Sequence, residues 1–515
     1  MRLKFGASLQ HEPTLSGRAL MENAVPRSRW ARWAAFIVVA LIGLAIRLPQ
    51  LNARPMHTDE AINAYIVGQL LAGEAFSYDP RDRHGPGLAT LALPLVRAQG
   101  ARSFSDLTES ELRLTSVVSG TITILLFGAA IEMFGFIPSL LAALLFAVAP
   151  LPVYYDRYFI HESIFCAATF GLILSAWRAF ETRSVGHAAL AGACAAVMFA
   201  SKETAVLHLF AVAVAAIVFR IRNLHGQRFV ASLRLRPLLV ASGTFLALLL
   251  ILFTWFGRNW GVFPALLHAG PDVLARAAGQ GHEKSVWYYA SLLSTGWSGG
   301  LLVAMACLGV IISIRKREDS PYVFLTYYAL VIAALYSLIP YKTPWLALSI
   351  WLPLALFAAI AVESLWAWAA REFSLRKAFP AACVLAVLAG VTLAHDIRQR
   401  VFLHPADETN PYAYAHTADD ILGLPSEIAD MARRNDIATP RIAVIAADPW
   451  PMPWYLRHFH QVGFWQPGQK VDDADFFITS TEAADQYAAQ LRNLRPEFFG
   501  VRPGVLILVW SPAPK

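Results

Sequence analysis

The chain has 515 residues, 57% hydrophobic and 15% charged, with a formal net charge of +7. A soluble globular chain carries roughly 25% charged residues, so this balance excludes an ordinary soluble enzyme. The basic residues sit in short loops between apolar runs, the pattern of membrane topology rather than of nucleic-acid binding, and no nucleic-acid partner is expected.

Residues 1–30 read as a cytoplasmic tail. A bilayer crossing needs about 20 mostly apolar residues. The first such run, Ala31 to Leu48, follows Arg27, Arg29 and Arg32. It is followed by Pro49, Arg54 and Pro55 rather than by a small-residue cleavage site, so it reads as an uncleaved span. Ten more runs lie near 113–131, 137–154, 162–178, 186–200, 204–220, 237–256, 298–314, 321–339, 345–364 and 378–395. The shortest, 186–200, is rich in alanine and glycine. The prediction is an α-helical polytopic membrane protein of about eleven spans over 31–396, in the cytoplasmic (inner) membrane. The four cysteines, Cys166, Cys194, Cys307 and Cys383, fall inside these runs at unrelated spacings. Neither a disulfide framework nor a Cys-x-x-Cys metal site is suggested.

With the N-terminus inside, one set of loops collects the cations: Arg178 and Arg183; Arg220, Arg222, Arg228, Arg234 and Arg236; Arg315, Lys316 and Arg317; Arg371, Arg376 and Lys377. That asymmetry is the positive-inside rule. The long loop 49–112 and the C-terminal region 397–515 then lie outside the cytoplasm. Region 397–515 is polar, with short strands expected at Arg441–Ala446, Ala474–Thr479 and Val505–Trp510. Helical periodicity appears near 417–434 and 481–493. It reads as a small extracytoplasmic α/β domain.

The same threading brings five ionisable clusters to the outer face. Ionisable residues at span ends are costly near hydrocarbon and commonly face a cavity or a partner. The first cluster is His57-Thr58-Asp59-Glu60. Ile62, Tyr65, Ile66 and Leu70 recur behind it at helical spacing, so a short helix is expected along the membrane surface. Two readings stand open there: Thr58 caps the helix and both acids complement its dipole, or one carboxylate takes a proton from an acceptor hydroxyl while the other orients it or a metal. The second cluster runs from Asp156 and Arg157 to His161 and Glu162. Asp156 could be an N-cap with Arg157 snorkelling beside it, but His161 and Glu162 lie deeper in the apolar helix. The third, Lys202-Glu203, is either a structural ion pair or a point charge for a lipid phosphate. The fourth and fifth are His282-Glu283-Lys284 and Tyr341-Lys342, where Lys342 is another phosphate candidate and the nearby aromatics suit an interfacial belt.

His57, His84, His161 and His282 share this face with Asp59, Glu162 and Glu283. No pair has the i, i+4 spacing of helical metal ligands, so no metal ligands are assigned; the oxygen-rich set would suit at best a hard divalent cation. The chain has no Gly-rich phosphate loop, nucleophile elbow or P-loop lysine, and nucleotide-driven work is not expected.

Taken together, these motifs resemble the GT-C class of membrane glycosyltransferases, including the protein O-mannosyltransferases and the aminoarabinose transferases of lipid A. The closer likeness is to prokaryotic flippase activity-associated glycosyltransferase-like proteins. It is carried by the run from Arg54 through His57, Asp59 and Glu60 to Ala61, by Tyr78 to Pro86 with His84, and by Arg157 to Glu162. Ser201-Lys202-Glu203, Tyr341 to Trp345 and Asp448 to Arg457 add to it. The resemblance spans essentially the whole chain. It implies a polyprenyl-phosphate-linked sugar donor, an inverting transfer and a site at the outer leaflet. The acceptor would be a hydroxyl on a protein or glycolipid, with membrane lipids as further partners. By position, Asp59 would be the general base with Glu60 beside it, and Glu162 the second acid. Lys202 would lie near the lipid phosphate, with Arg157 and Lys342 as further phosphate ligands. His57, His84, Asp156, His161, Glu203, Glu283 and Tyr341 complete the expected substrate-binding set. The 156–162 stretch is richer in charge than in the mannosyltransferases. A non-catalytic transporter or flippase-associated envelope protein is the competing expectation. Such transporters show inverted repeats and broken midplane helices, whereas no repeat is visible here and the charges gather at one interface.

Overall fold

The computed structural model describes Pro26 and residues 28–513, apart from 82, 223–234, 280, 316–319, 374 and 472. Most of the expected tail lies outside the described residues, as do Arg27, Arg228, Arg234, Lys316 and Arg317. In chain order the helices longer than two turns begin with α1 (Arg29–Arg47), α2 (Thr58–Leu71), α3 (Gly87–Ala98), α4 (Glu109–Ala129) and α5 (Phe136–Val148). They continue with α6 (Glu162–Thr182), α7 (Val185–Ser201), α8 (Ala205–Arg222), α9 (Leu235–Phe253) and α10 (Val262–Ala277). The last five are α11 (Gly296–Ile314), α12 (Pro321–Leu338), α13 (Ala347–Glu372), α14 (Leu375–Ile397) and α15 (Leu424–Arg434).

Helices occupy all eleven expected spans, but only nine are long and apolar enough to cross a membrane among the described residues. The two exceptions are α5 and α7. The run at 137–154 breaks because Ala149 precedes Pro150 and is forced into extended geometry, with ψ 143°. That leaves α5 with 13 residues, about 20 Å at 1.5 Å per residue, against a hydrocarbon core of about 30 Å. A separate turn, Pro150–Tyr155, carries the chain onward. Helix α7 has 17 residues.

Small residues allow the closest helix approaches. A Cβ on Gly309 of α11 would stand 1.9 Å from the Phe357 carbonyl oxygen of α13, and one on Gly192 of α7 would stand 2.1 Å from the Ala241 carbonyl oxygen of α9. On their outer faces α9 and α14 expose Leu238, Leu239 and Leu246, and Val384, Leu385 and Leu388. Such rows are a liability in water and ordinary in a lipid bilayer. At one end of the bundle Arg178 pairs with Glu132 at 2.8 Å and Arg222 donates to the Tyr327 hydroxyl at 2.7 Å. The candidate site lies at the other end.

The C-terminal region forms a five-stranded sheet in the order β2-β1-β3-β5-β4. Its strands are β1 (Arg441–Ile445), β2 (Gln461–Trp465), β3 (Phe476–Ser480), β4 (Leu494–Arg502) and β5 (Val505–Pro512). The first three are parallel, and β5 runs antiparallel to both β3 and β4. The three expected strands are β1, β3 and β5. Strands β2 and β4 were not expected: both are edges, and β4 holds Pro496 and Gly500, which an edge strand tolerates. The expected helix near 417–434 is a 3-10 turn followed by α15, and the one near 481–493 is three short turns. The sheet shares a hydrophobic core with α2 and α3. Tyr455 accepts the Met56 N–H at 2.8 Å, and Trp454 Nε1 donates to Glu109 at 2.9 Å. The sheet is thus seated directly on the 49–112 loop.

Candidate active site

The frame beneath the site is built from buried arginines. Helix α1 ends with carbonyls that need donors, and Arg157 supplies them, bonding the Arg47, Pro49 and Gln50 carbonyls at 2.7, 2.5 and 3.2 Å. Arg47, itself fully buried, reaches the Asp156 carboxylate at 2.9 Å and the Phe146 and Ala147 carbonyls at 3.0 and 2.8 Å. The Ser163 hydroxyl donates to the other Asp156 oxygen at 2.8 Å. Asp156 and Arg157 are thus both bound into the frame.

Glu60 anchors the turn into α2. Arg113, at the start of α4, grips it with Nε to Oε1 at 2.8 Å and Nη2 to Oε2 at 2.7 Å. The N–H groups of Phe159 and His57 donate to the same carboxylate at 2.8 and 3.1 Å. Burial alone would push this carboxyl up, but the Arg113 and Arg54 charges overrule it and hold it at about 2. The helix cap is His57 rather than the expected Thr58. Its Nδ1 accepts the Asp59 N–H at 3.1 Å, and Glu60 returns the bond to the His57 N–H.

Asp59 stands on the same turn in the opposite situation. It is half-buried, and among the described residues its carboxylate has no hydrogen-bond or ion-pair partner. Beside it, His57 Nε2 meets the Tyr414 carbonyl at 3.1 Å, and its ring packs on Tyr158, Trp345 and His416. Burial pushes the His57 imidazole down. Across from it, His282 Nδ1 meets the Tyr414 hydroxyl at 2.7 Å and its ring contacts Tyr341. The two loops bearing these residues are joined by a bridge between Glu283 and Tyr341 and by the Lys342 N–H donating to the His282 carbonyl at 3.0 Å. Lys342 is buried and turns back onto the Ile339 and Lys284 carbonyls at 2.6 and 3.2 Å. The Glu283 side chain is exposed and folds onto its own loop, accepting from the Gly281 N–H.

A second group gathers at the start of α6. Lys202, in extended conformation just past α7, pairs with Glu162, and both are buried. Next to them His84 Nδ1 meets Glu203 at 2.7 Å, and the Tyr78 hydroxyl donates to the other Glu203 oxygen at 3.2 Å. The His161 and His84 ring centroids are 5.0 Å apart. Burial first, then the neighbouring His84 and Lys202, keep His161 well below the usual imidazole range.

The two groups flank one segment, Tyr154 to His161. Asn63, one turn beyond Asp59, donates to the Phe159 carbonyl at 3.2 Å, and Tyr158 lies against His57. Asp59, His57, His282, Tyr341 and Lys342 therefore form one group, and Glu162, Lys202, His84, Glu203 and His161 the other. The four histidines are divided between these groups. Among the described residues no three His, Cys, Asp or Glu side chains converge as metal ligands. A cavity of about 270 Å³ lies behind Pro55, between Phe402–Asp407 and Ala418–Asp419, and none of the candidate residues lines it. Arg47, Arg113, Tyr414 and His416 take part in the site without having been singled out from sequence. For the two arginines the available signal was a lone cation at a span boundary, and for Tyr414 and His416 there was none.

Residues 93–255 match the family described as dolichyl-phosphate-mannose-protein mannosyltransferase. No curated protein matches the sequence. Among solved structures, the chain is similar to ArnT from Cupriavidus metallidurans bound to undecaprenyl phosphate, at 15% identity and TM-score 0.64, covering 94% of this chain and 98% of that one. It is also similar to the apo oligosaccharyltransferase of Archaeoglobus fulgidus, at 13% identity and TM-score 0.56, covering 94% of this chain and 77% of that one. The mycobacterial arabinofuranosyltransferase AftD aligns at 13% identity and TM-score 0.52, covering 96% of this chain and 40% of that one. Over nearly its whole length, then, this chain has the GT-C glycosyltransferase fold.

Proposed function

We propose that the protein transfers a sugar from a polyprenyl-phosphate-linked donor to an acceptor hydroxyl, with inversion, at the outer face of the cytoplasmic membrane. The observation that carries this reading is the contrast between two adjacent acids. Glu60 has both oxygens filled and fixes the turn, while Asp59 on that turn is held in place with its carboxylate unengaged. Asp59 then takes the proton of the acceptor hydroxyl as that oxygen attacks the anomeric carbon. The bond to the phosphate oxygen breaks on the opposite side, and polyprenyl phosphate leaves as an anion. Lys202, which keeps donors beyond its bond to Glu162, stabilises that anion, and Glu162 orients the ammonium. A base in one group and a phosphate ligand in the other supply the two partners that an inverting displacement needs. In this reading Glu60, Asp156 and Arg157 hold the frame rather than touch the substrate. The donor class is supported by analogy: ArnT was crystallised with undecaprenyl phosphate, and the archaeal oligosaccharyltransferase was solved with dolichol-phosphate.

Cells lacking this protein are expected to accumulate an unspent lipid-linked sugar and to lose a matching glycan, both read by mass spectrometry. Identical lipid-linked sugar and glycan profiles in deletion and wild-type cells would refute transfer and favour a non-catalytic role. The orientation has its own check. A cysteine at exposed Asn52, in a background without native cysteines, is expected to react with an impermeant thiol reagent in intact cells once any outer membrane is permeabilised. Reaction only after lysis of the inner membrane would reverse the topology.

A further inference from the structure

The stretch from His404 to Ala418 joins α14 to the C-terminal sheet, and it is stitched across the end of the bundle. The Tyr154 hydroxyl donates to the Pro405 carbonyl at 2.6 Å, and the Tyr155 hydroxyl to the Tyr412 carbonyl at 3.0 Å. Asn410 bonds the Arg400 and His404 carbonyls at 2.8 and 2.9 Å, and the Thr417 hydroxyl bonds the Met56 carbonyl at 2.6 Å. At its centre Tyr414 touches both loops beside Asp59 with two different atoms. Its carbonyl meets His57 Nε2, and its hydroxyl meets His282 Nδ1. Because His57 Nδ1 accepts the Asp59 N–H, the imidazole proton belongs on Nε2, where it is donated to Tyr414. The Tyr414 carbonyl therefore fixes the tautomer that caps the Asp59 turn.

The next two residues sit in an unfavourable arrangement. Ala415 has φ 46°, a left-handed conformation that L-residues resist. His416 Nε2 and the Tyr158 hydroxyl are buried without a hydrogen-bond partner among the described residues, with ring centroids 5.7 Å apart. A plain tether has no reason to keep such features. They persist where the surroundings over-determine a backbone, and they cluster at working sites.

We propose that Tyr414 is a positioning residue for the transfer: a clasp that sets His57 and His282 about Asp59 and couples the C-terminal domain to the reacting carboxylate. The inference rests on Asp59 being the base. The clasp's hydrogen bonds go to the two histidines about Asp59, whereas Lys202 is held by Glu162, so loosening it disturbs the attack on the anomeric carbon more than the hold on the donor phosphate.

The test uses the full-length protein in lipid vesicles with a polyprenyl-phosphate sugar donor. Tyr414→Phe removes only the hydroxyl. His57→Asn keeps a side chain that caps helices well but loses the bond to the Tyr414 carbonyl. Each is expected to lower kcat about tenfold, leaving the donor KM within about twofold; Tyr414→Phe is expected to leave the melting temperature unchanged as well. Tyr414→Phe combined with His282→Ala is expected to be no worse than the poorer single variant, because both delete one contact. Wild-type kcat in Tyr414→Phe overturns the clasp, as does a loss confined to KM or melting temperature. If Tyr414→Phe fails to fold, His282→Ala reports on the same contact from the other side and decides by the same criteria. Asp59→Asn separates the two claims. A dead Asp59→Asn beside a normal Tyr414→Phe removes the clasp alone, whereas an active Asp59→Asn, or an inactive wild type, removes the base reading and the clasp with it.

Discussion

Asp59→Asn is expected to yield a folded, inserted protein whose transfer rate has fallen about 10²- to 10⁴-fold, the usual contribution of a positioned general base. Folding should survive because the Asp59 carboxylate makes no hydrogen bond or ion pair with a described residue. The contact the turn needs, from the Asp59 N–H to His57 Nδ1, belongs to the backbone and is kept in asparagine. The amide matches the carboxylate in shape but cannot accept the acceptor's proton. The neighbouring change, Glu60→Gln, is expected to behave in the opposite way, lowering stability first and activity as a consequence. Rates from purified protein in vesicles, paired with thermal unfolding of the same samples, distinguish the two. Asp59→Asn transferring sugar at the wild-type rate would dismiss Asp59 as the base, and equal loss of stability in both variants would undo the division of labour between the acids.

That division could not be seen along the chain. Asp59 and Glu60 are adjacent acids in the first turn of one helix, and nothing local tells them apart. What separates them is Arg113, 53 positions later in sequence, together with the Phe159 N–H on a third segment. The spans were legible because twenty apolar residues in a row have few other uses, and β1, β3 and β5 because their apolar runs are short and bounded by turns. The break at Ala149 was also written in the sequence, in the Pro150 that follows it, but a window that averages hydropathy passes over it. Arg47 and Arg113 looked like ordinary charges at span boundaries, although each turned out to be a buried hub satisfied mainly by backbone carbonyls. Tyr414 and His416 had no local signal at all, since their roles come from where the linker is laid across the bundle.

The frame is expected to fail most severely at Arg113. Its guanidinium holds Glu60 through two bonds and also reaches the Leu51, Arg54 and Pro55 carbonyls at 2.6, 2.9 and 3.1 Å. Arg113→Ala takes from a buried carboxylate its main counter-charge and leaves several carbonyls without donors, which should cost about 3–5 kcal/mol. Arg113→Lys should rescue little, because an ammonium cannot reproduce the two-pronged grip. The pH dependence has a definite sign. Glu60 titrates at about 2 in the folded protein against 4.5 for its ordinary value, so its contribution is fully present above about 4.5 and is lost as pH falls towards 2. That shift corresponds to about 3 kcal/mol, similar to the cost expected on removing its partner. Unfolding in detergent across acidic pH should therefore show the wild type losing stability over this window, while Arg113→Ala starts low and changes less. An unchanged midpoint for Arg113→Ala would mean that the ion pair does not hold the turn. The double variant Arg113→Met with Glu60→Leu removes both charges, and it is expected to recover part of the stability because neither partner is left unpaired. It should not recover transfer: without Glu60 bound to the Phe159 and His57 N–H groups, the turn is folded but no longer aims Asp59.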